Sequence, residues 1–297
     1  MNRRTLVVLG TLLLPATTAS ASHLSEAWKL GPEQAGAQRL TEILGYRPTY
    51  IITRWSSDPN EQPTSPAPGR SALTEQDLDR NEVKFQISFK AELASRQAFD
   101  DVGVTPLLRH VGIDSVRLWF AYTHRVHWQM YNADNSRPFR ETNYEPEAIL
   151  TFGSGNQGDG FKLVNLGLSH QSNGSIESNS RGWNRLYAQG GWEWDRFSLL
   201  ARVWYRIPES QKDDDNPDIQ HYLGYGDLVG RYQTDRGYVS GLLLRRRFAQ
   251  LDWATPLLAA LGGARLHLQV SSGYGETLID YNHKQTTLGI GVSFGDW

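Results

Sequence analysis

An apolar residue at every second position, repeated down most of the chain, limits its fold more than any other feature. Val83, Phe85, Ile87, Phe89, Ala91 and Leu93 make one row, and Lys84, Gln86, Ser88, Lys90 and Glu92 make the other. A period of two is that of an extended strand, whose successive side chains point to opposite faces. The pattern returns as Val116, Leu118, Phe120, Tyr122, Val126 and Trp128 against Arg117, Thr123, Arg125 and Gln129. It returns again in Phe197, Leu199, Ala201, Val203 and Tyr205, in Leu266, Leu268 and Val270, and in Leu288, Ile290, Val292 and Phe294. One such strand suits any half-buried sheet. The recurrence points to an extended sheet with one apolar face and one face of charges and small residues.

Composition says where such a sheet can live. The chain opens Met1-Asn2-Arg3-Arg4, continues with an apolar run from Leu6 to Leu14, and reaches Ala19-Ser20-Ala21. A basic start, a short apolar core and a small-x-small site make a signal peptide, here residues 1–21. The alternative, a membrane anchor, needs a longer apolar run. The 297 residues include no cysteine, so an exported chain has no disulfide to staple it. Mean hydropathy is −0.50, and no later stretch is apolar enough for a transmembrane helix. A net charge of −2 gives no sign of nucleic-acid binding. Yet there are 10 Trp and 13 Tyr, a heavy aromatic load for so polar a chain. A transmembrane β-barrel reconciles these facts, because every second residue faces lipid and aromatics ring the interfaces.

The expected fold is therefore all-β: a single transmembrane antiparallel β-barrel of about 12 strands with a polar, filled interior. Residues 22–80 read as an N-terminal arm with a proline-rich loop, Ser56 to Gly69, and a possible first strand from Tyr50 to Trp55. Residues 81–297 supply the rest of the barrel. The chain turns sharply, if it turns at all, at Arg245-Arg246-Arg247, and it stops on Trp297, an aromatic end to a closing strand.

One motif breaks the outward apolar row. Val164, Leu166 and Leu168 share parity with His170 and Ser172, and Asn184 shares parity with Leu186, Ala188, Trp192 and Trp194. Alternation thus places a histidine, a serine and an asparagine on the lipid-facing side of two neighbouring strands, joined by residues 173–182. Polar groups in lipid are costly and are candidates for function. The chemistry fits a hydrolytic triad: Ser172 as nucleophile, His170 as general base and Asn184 orienting the imidazole. Asparagine lacks the charge of aspartate but can fix the tautomer by accepting from one ring nitrogen. Turn chemistry at a strand end is the other reading of Ser172-Asn173-Gly174. It leaves His170 and Asn184 unexplained. With both termini periplasmic, the His170 strand, fifth in order, runs outward. The motif then lies toward the outer leaflet, where the accessible substrate is a lipid acyl ester.

These residues resemble a known family, the outer-membrane phospholipase A of Gram-negative bacteria. The resemblance rests on Ser169-His170-Gln171-Ser172-Asn173-Gly174 and Ser180-Arg181-Gly182-Trp183-Asn184-Arg185-Leu186-Tyr187. Glu82 to Gln86, Pro138 to Pro146, Asp214 to Asp218 and Ser272 to Asn282 add to it, so that it spans roughly residue 46 to the end. It implies a twelve-stranded barrel hydrolysing phospholipids at the sn-1 or sn-2 ester, active as a calcium-bound homodimer. It implies His170, Ser172 and Asn184 as the catalytic trio. Ser180, by its hydroxyl, and Ser175, by its carbonyl, are the implied calcium ligands, and Ser136 matches the position whose carbonyl comes from the partner subunit. Oxygen ligands and a hard cation suit calcium.

Two departures from the family pattern stand out. A second, monomer calcium site maps to Glu177 and Asp215, so one ligand is Glu rather than Asp. The other reading of the acidic run Asp213-Asp214-Asp215 is a solvated loop. His124, in the row of Tyr122 and Val126, stands where the family carries an interfacial glutamine. A protonated pair there would repel, so dimerisation is expected to weaken at acidic pH. A lone interfacial histidine near the headgroups is the plainer alternative. Two other functions share the barrel: a small porin or structural protein, and a deacylase acting on lipopolysaccharide. A porin's functional residues would line the lumen, which twelve strands fill with side chains such as Arg117, Arg125, Arg202, Arg206 and Arg265.

Overall fold

The computed structural model describes residues 23–31 and 42–295. The leader segment 1–21 and Trp297 lie outside the described residues. All the strand segments join one antiparallel sheet. The first strand, β1, has two pieces, Ile43–Gly45 and Thr49–Ser56. Then follow β2 (Asn81–Ala94), β3 (Ser115–Trp128), β4 (Phe139–Gly153), β5 (Gly160–Ser172) and β6 (Gly182–Trp194). The ring continues with β7 (Phe197–Ile207), β8 (Gly226–Gln233), β9 (Val239–Arg245), β10 (Phe248–Ala254), β11 (Arg265–Tyr274) and β12 (Lys284–Phe294).

Each strand pairs with its neighbours in sequence. β12 then pairs back onto β1, from Thr287↔Ser56 to Phe294↔Thr49, and closes a twelve-stranded barrel. Closure matters because an open edge would leave unpaired amides in lipid. Both pieces of β1 lie along β2, with Gly45 opposite Phe89 and Tyr50 opposite Gln86. The interruption between them falls at Pro48, which has no N–H to give to the ladder. There Arg47 turns inward and meets Glu145 at 2.7 Å and Glu147 at 2.6 Å.

Outward rows are apolar and exposed, as lipid contact requires. Ile87, Phe120, Leu166, Leu168, Leu186, Val203, Leu268, Leu288 and Ile290 all face out. Inward rows hold buried charges in pairs. Glu276 takes Arg54 at 2.8 Å and Lys84 at 2.9 Å. Arg140 reaches Glu82 and Asp280, each at 2.9 Å. Arg185 meets Glu145 at 2.6 Å, and Arg202 meets Asp227 at 2.5 Å. Pairing of this kind offsets the cost of burying a charge. The interior is therefore filled with side chains, and the anticipated Arg117, Arg206 and Arg265 are among those buried.

The interior is not wholly polar. Helix α1 (His23–Ala27) enters the barrel at the end where β1 begins and β12 ends, and its backbone N–H groups at His23 and Leu24 donate to the Glu193 carboxylate at 2.6 and 2.9 Å. Leu24, Trp28 and Leu30 pack there against Trp119, Ile149 and Leu163. Trp28 and Trp119 meet edge to face at 6.2 Å. Two short helices, α2 (Arg96–Asp101) and α3 (Val104–Leu108), occupy the loop between β2 and β3 at the same end. At the opposite, distal end α4 (Ile219–Leu223) buries Ile219 and Leu223 beside Trp183, Trp204 and Tyr281. That end also carries loops 57–80, 129–138, 173–181, 208–225 and 275–283, and the tight turn Arg246-Arg247.

Candidate active site

The register of β5 on β6 builds the centre of the site. His170 is directly opposite Asn184, and Ser172 is opposite Gly182. His170 is exposed, Ser172 and Asn184 are half-buried, and the alternate residues Ser169, Trp183 and Arg185 are buried. The trio therefore faces outward, as the alternation in sequence requires. His170 Nδ1 lies 2.8 Å from Asn184 Oδ1. An amide oxygen only accepts, so this contact holds the proton on Nδ1 and leaves Nε2 as the basic nitrogen. Ser172 stands two positions further along the same face.

The strand behind the trio is packed from inside. Gly167 is opposite Tyr187, and a Cβ at Gly167 would fall 2.1 Å from the Tyr187 ring. Only glycine lets that buried ring cross the strand. Gln171 faces inward and accepts from Trp183 Nε1 at 2.9 Å. β5 is thus held to β6 by side chains as well as by the ladder.

Beyond Ser172 the chain turns at Gly174, with φ +63°, and a Cβ there would meet the Tyr144 ring at 2.9 Å. Buried Asn173 braces the loop 173–181. Its Oδ1 accepts from the Arg181 N–H at 2.9 Å and the Ser175 N–H at 3.3 Å, and its Nδ2 donates to the Asn179 carbonyl at 2.7 Å. Arg181 donates to the carbonyls of Ser178 and Ser180 and, across the barrel mouth, to that of Arg70.

The other candidate positions divide into those brought together and those held apart. Ser180 Oγ donates to Asp215 Oδ2 at 2.5 Å, joining loop 173–181 to loop 208–225. Asp215 also accepts from Arg70 Nε at 2.5 Å, and its backbone carbonyl accepts from Ser65 Oγ at 2.7 Å. Ser180 and Asp215, assigned by sequence to two separate calcium sites, are thus in direct contact. Ser175 and Glu177 are exposed on the same loop, with Glu177 in the left-handed region at φ 53°. Ser136 sits in the neighbouring loop 129–138, also left-handed at φ 59°, with its N–H on the Ala133 carbonyl. Among the described residues no group of three or more His, Asp or Glu converges on one point. The donors present are hydroxyl, carboxylate and carbonyl oxygens, a set that fits calcium better than a softer metal.

Beside Ser172 the outer wall is aromatic. His124 stacks on Tyr144 with ring centroids 4.9 Å apart and planes 16° from parallel, and Tyr122 follows at 6.1 Å. Tyr144 is the β4 residue opposite Ser172. One contact of the candidate trio escaped the sequence reading: Asn184 Nδ2 donates to Glu209 Oε1 at 2.7 Å. Glu209 lies in a loop, where no periodicity marks it.

Known proteins share this sequence and fold. The family model for phospholipase A1 matches residues 24–294. Phospholipase A1 of Escherichia coli K12 is 36% identical over 266 residues, covering 84% of this chain and 81% of the relative. A putative phospholipase A1 of Neisseria meningitidis serogroup B is 37% identical over 278 residues, covering 86% of this chain and 67% of the relative. Among solved structures, the Salmonella typhi outer membrane phospholipase dimer with bound calcium superposes with a TM-score of 0.71 at 31% identity, covering 90% of this chain and 95% of that one. An Escherichia coli outer membrane phospholipase A, an asparagine-to-alanine active-site mutant at pH 6.1, also gives 0.71 at 31%, covering 92% and 98%.

Proposed function

The chain belongs to the phospholipase A1 family and is an enzyme of that class, and from that premise we propose that it is a calcium-dependent outer-membrane phospholipase working through His170, Ser172 and Asn184. The observation that carries this is the 2.8 Å contact of His170 Nδ1 with Asn184 Oδ1 on the lipid-facing wall, with Ser172 in the same row. The asparagine active-site mutant of the Escherichia coli relative supports the third member.

Ser172 Oγ attacks the carbonyl carbon of an sn-1 or sn-2 acyl ester while His170 Nε2 takes its proton. The C–O bond to the glycerol oxygen breaks, and that oxygen leaves with the proton held by His170. The lysophospholipid departs and the acyl group stays on Ser172. Water, deprotonated by His170, then attacks the acyl carbon; the bond to Ser172 breaks, His170 returns the proton to Ser172 Oγ, and the fatty acid is released. Asn184 accepts from Nδ1–H throughout and steadies the imidazolium. The backbone N–H of Ser172 would donate to the developing oxyanion.

Calcium, when bound, supplies positive charge that polarises the ester oxygen. Ser180 Oγ and the Ser175 carbonyl would hold it next to the nucleophile loop, with Ser136 contributed by a second copy. Glu177 and Asp215 would serve a further calcium position in the monomer. A homodimer is the proposed active form, in line with the calcium-bound dimer of the Salmonella relative. One barrel presents the trio on an open wall, and a second would enclose the acyl chain. The long loops 57–80 and 208–225 at the distal end suit the cell exterior. The trio then reaches phospholipid in the outer leaflet. Residues 1–21 are proposed as a removed leader, 22–80 as the arm with the first strand, and 81–297 as the rest of the barrel.

Hydrolysis of phospholipid in mixed micelles, with calcium or with a chelator, tests this. Calcium-dependent release of fatty acid that vanishes in Ser172→Ala is the expected result; activity that survives this substitution would sink the assignment.

A further inference from the structure

Asn184 has two amide ends, and the imidazole uses only one. Its Oδ1 faces His170, while its Nδ2 donates to Glu209 Oε1 at 2.7 Å. Glu209 is the second residue of the loop that follows β7, whose last residue, Ile207, is opposite Asn184 in the ladder. The place is fixed by backbone pairing as well as by the side-chain contact. We propose that Glu209 is a positioning residue of the active site, which sets the orientation of the Asn184 amide and lends it negative charge. The proposal rests on the reading of His170, Ser172 and Asn184 as the catalytic trio.

The two ends of an asparagine amide have nearly the same shape, so nothing but its partners decides which faces where. A carboxylate only accepts. Opposite Glu209, therefore, Asn184 must present its NH2 group and must turn its oxygen toward His170. That oxygen in turn accepts only from a protonated Nδ1, which leaves the Nε2 lone pair for Ser172. One carboxylate thus selects the imidazole tautomer from two bonds away.

Charge follows the same line. An Asn in the third position gives the imidazolium no counter-charge of its own. Glu209 restores part of it, because an ionised acceptor polarises the amide whose oxygen faces the ring. The arrangement also accounts for the absence of aspartate at this position. Two carboxylates at 2.7 Å could not both stay ionised. The groups that face Glu209 are Arg206, 3.8 Å away, Asn184, Asp214 and Asp215. Burial pushes the Glu209 carboxyl up, Arg206 and the Asn184 hydrogen bond oppose this, and Asp214 and Asp215 reinforce it.

The test uses full-length protein refolded in detergent, with calcium and phosphatidylcholine micelles. Glu209→Gln keeps size and polarity but loses charge and can present either end. It is expected to lower kcat about tenfold while KM stays within about twofold. In an Asn184→Ala background, Glu209→Gln is expected to change kcat no further, because the residue acts through Asn184. Asn184→Asp alone is expected to be poorly active. Asn184→Asp combined with Glu209→Gln is expected to recover kcat above that of Asn184→Asp alone, since the repulsion is gone. Heat-dependent gel migration confirms that each barrel is folded. Wild-type kcat in Glu209→Gln, or an equal loss in the Asn184→Ala background, would overturn the proposal while leaving the trio intact. Activity retained in Ser172→Ala would overturn the trio reading and the proposal with it.

Discussion

His170 and Asn184 are direct partners in the β5–β6 ladder, with Nδ1 and Oδ1 2.8 Å apart on the outer wall of the barrel. A one-residue slip of either strand would send its member of the pair into the lumen. The proposed chemistry is thereby tied to register. Ser172→Ala and His170→Ala are each expected to lower kcat at least about 1,000-fold, and Asn184→Ala about 10- to 100-fold. Initial rates on micellar phospholipid, with barrel folding checked by circular dichroism, measure this.

Ser180 reaches Asp215 across two loops, which makes the nucleophile loop and loop 208–225 one unit. Removal of calcium by a chelator is expected to abolish hydrolysis reversibly. Ser180→Ala is expected to raise the calcium concentration for half-maximal rate about tenfold or more, with little change in thermal stability. A calcium titration of initial rates compares the two; an unchanged midpoint would remove Ser180 from the ligand set.

Loop 275–283 caps the distal mouth through two carboxylates. Burial alone would raise Asp280, but Arg140 at 2.9 Å holds it below the ordinary range. Glu276 is held well below its usual value against the same desolvation by Arg54 and Lys84. Depressed folded values mean that both groups stabilise the fold above their unfolded values, and that this is lost as pH falls through the folded ones. Urea midpoints are therefore expected to be level near neutrality and to fall below about pH 4. Asp280→Asn should lower the midpoint at neutral pH and flatten the acid decline.

Lys90 Nζ lies 3.5 Å from the centroid of the Trp28 ring, so the barrel wall meets the plug formed by residues 23–31 over an aromatic face as well as through apolar packing. Trp28→Ala is expected to cost about 3 to 5 kcal/mol of unfolding free energy. Denaturant unfolding followed by tryptophan fluorescence reads it out. A loss below about 1 kcal/mol would mean that the plug contributes little to the barrel.

His124 Nε2 is buried and finds no hydrogen-bond partner among the described residues, while its ring is stacked on Tyr144. In a dimer joined on this wall, protonation would bring two cations together. The dimer fraction in detergent is expected to be smaller at about pH 5 than at about pH 8, and His124→Gln is expected to erase the difference. Analytical sedimentation across pH decides it.

Much of this was legible because one period of two governs both fold and site. The row Val164, Leu166, Leu168 fixes where His170 and Ser172 point, and Leu186 with Ala188 does the same for Asn184. Loops offer no such rule. Glu209 touches Asn184 from a segment without pattern, and Ser180 meets Asp215 over a separation that no spacing announces. The inward rows were read as polar from their arginines and lysines, yet Trp119, Trp183, Tyr187 and Trp204 share them. Alternation says which face a residue takes, and says nothing of what arrives to cover it. Here α1 arrives from one end and α4 from the other, five residues each, too short to carry a helical period.

Among the described residues, paired ions and apolar clusters around α1 and α4 fill the lumen instead of lining an open channel. A lipid-degrading enzyme can then reside in a permeability barrier without breaching it, and reconstitution into a planar bilayer should leave the membrane electrically silent.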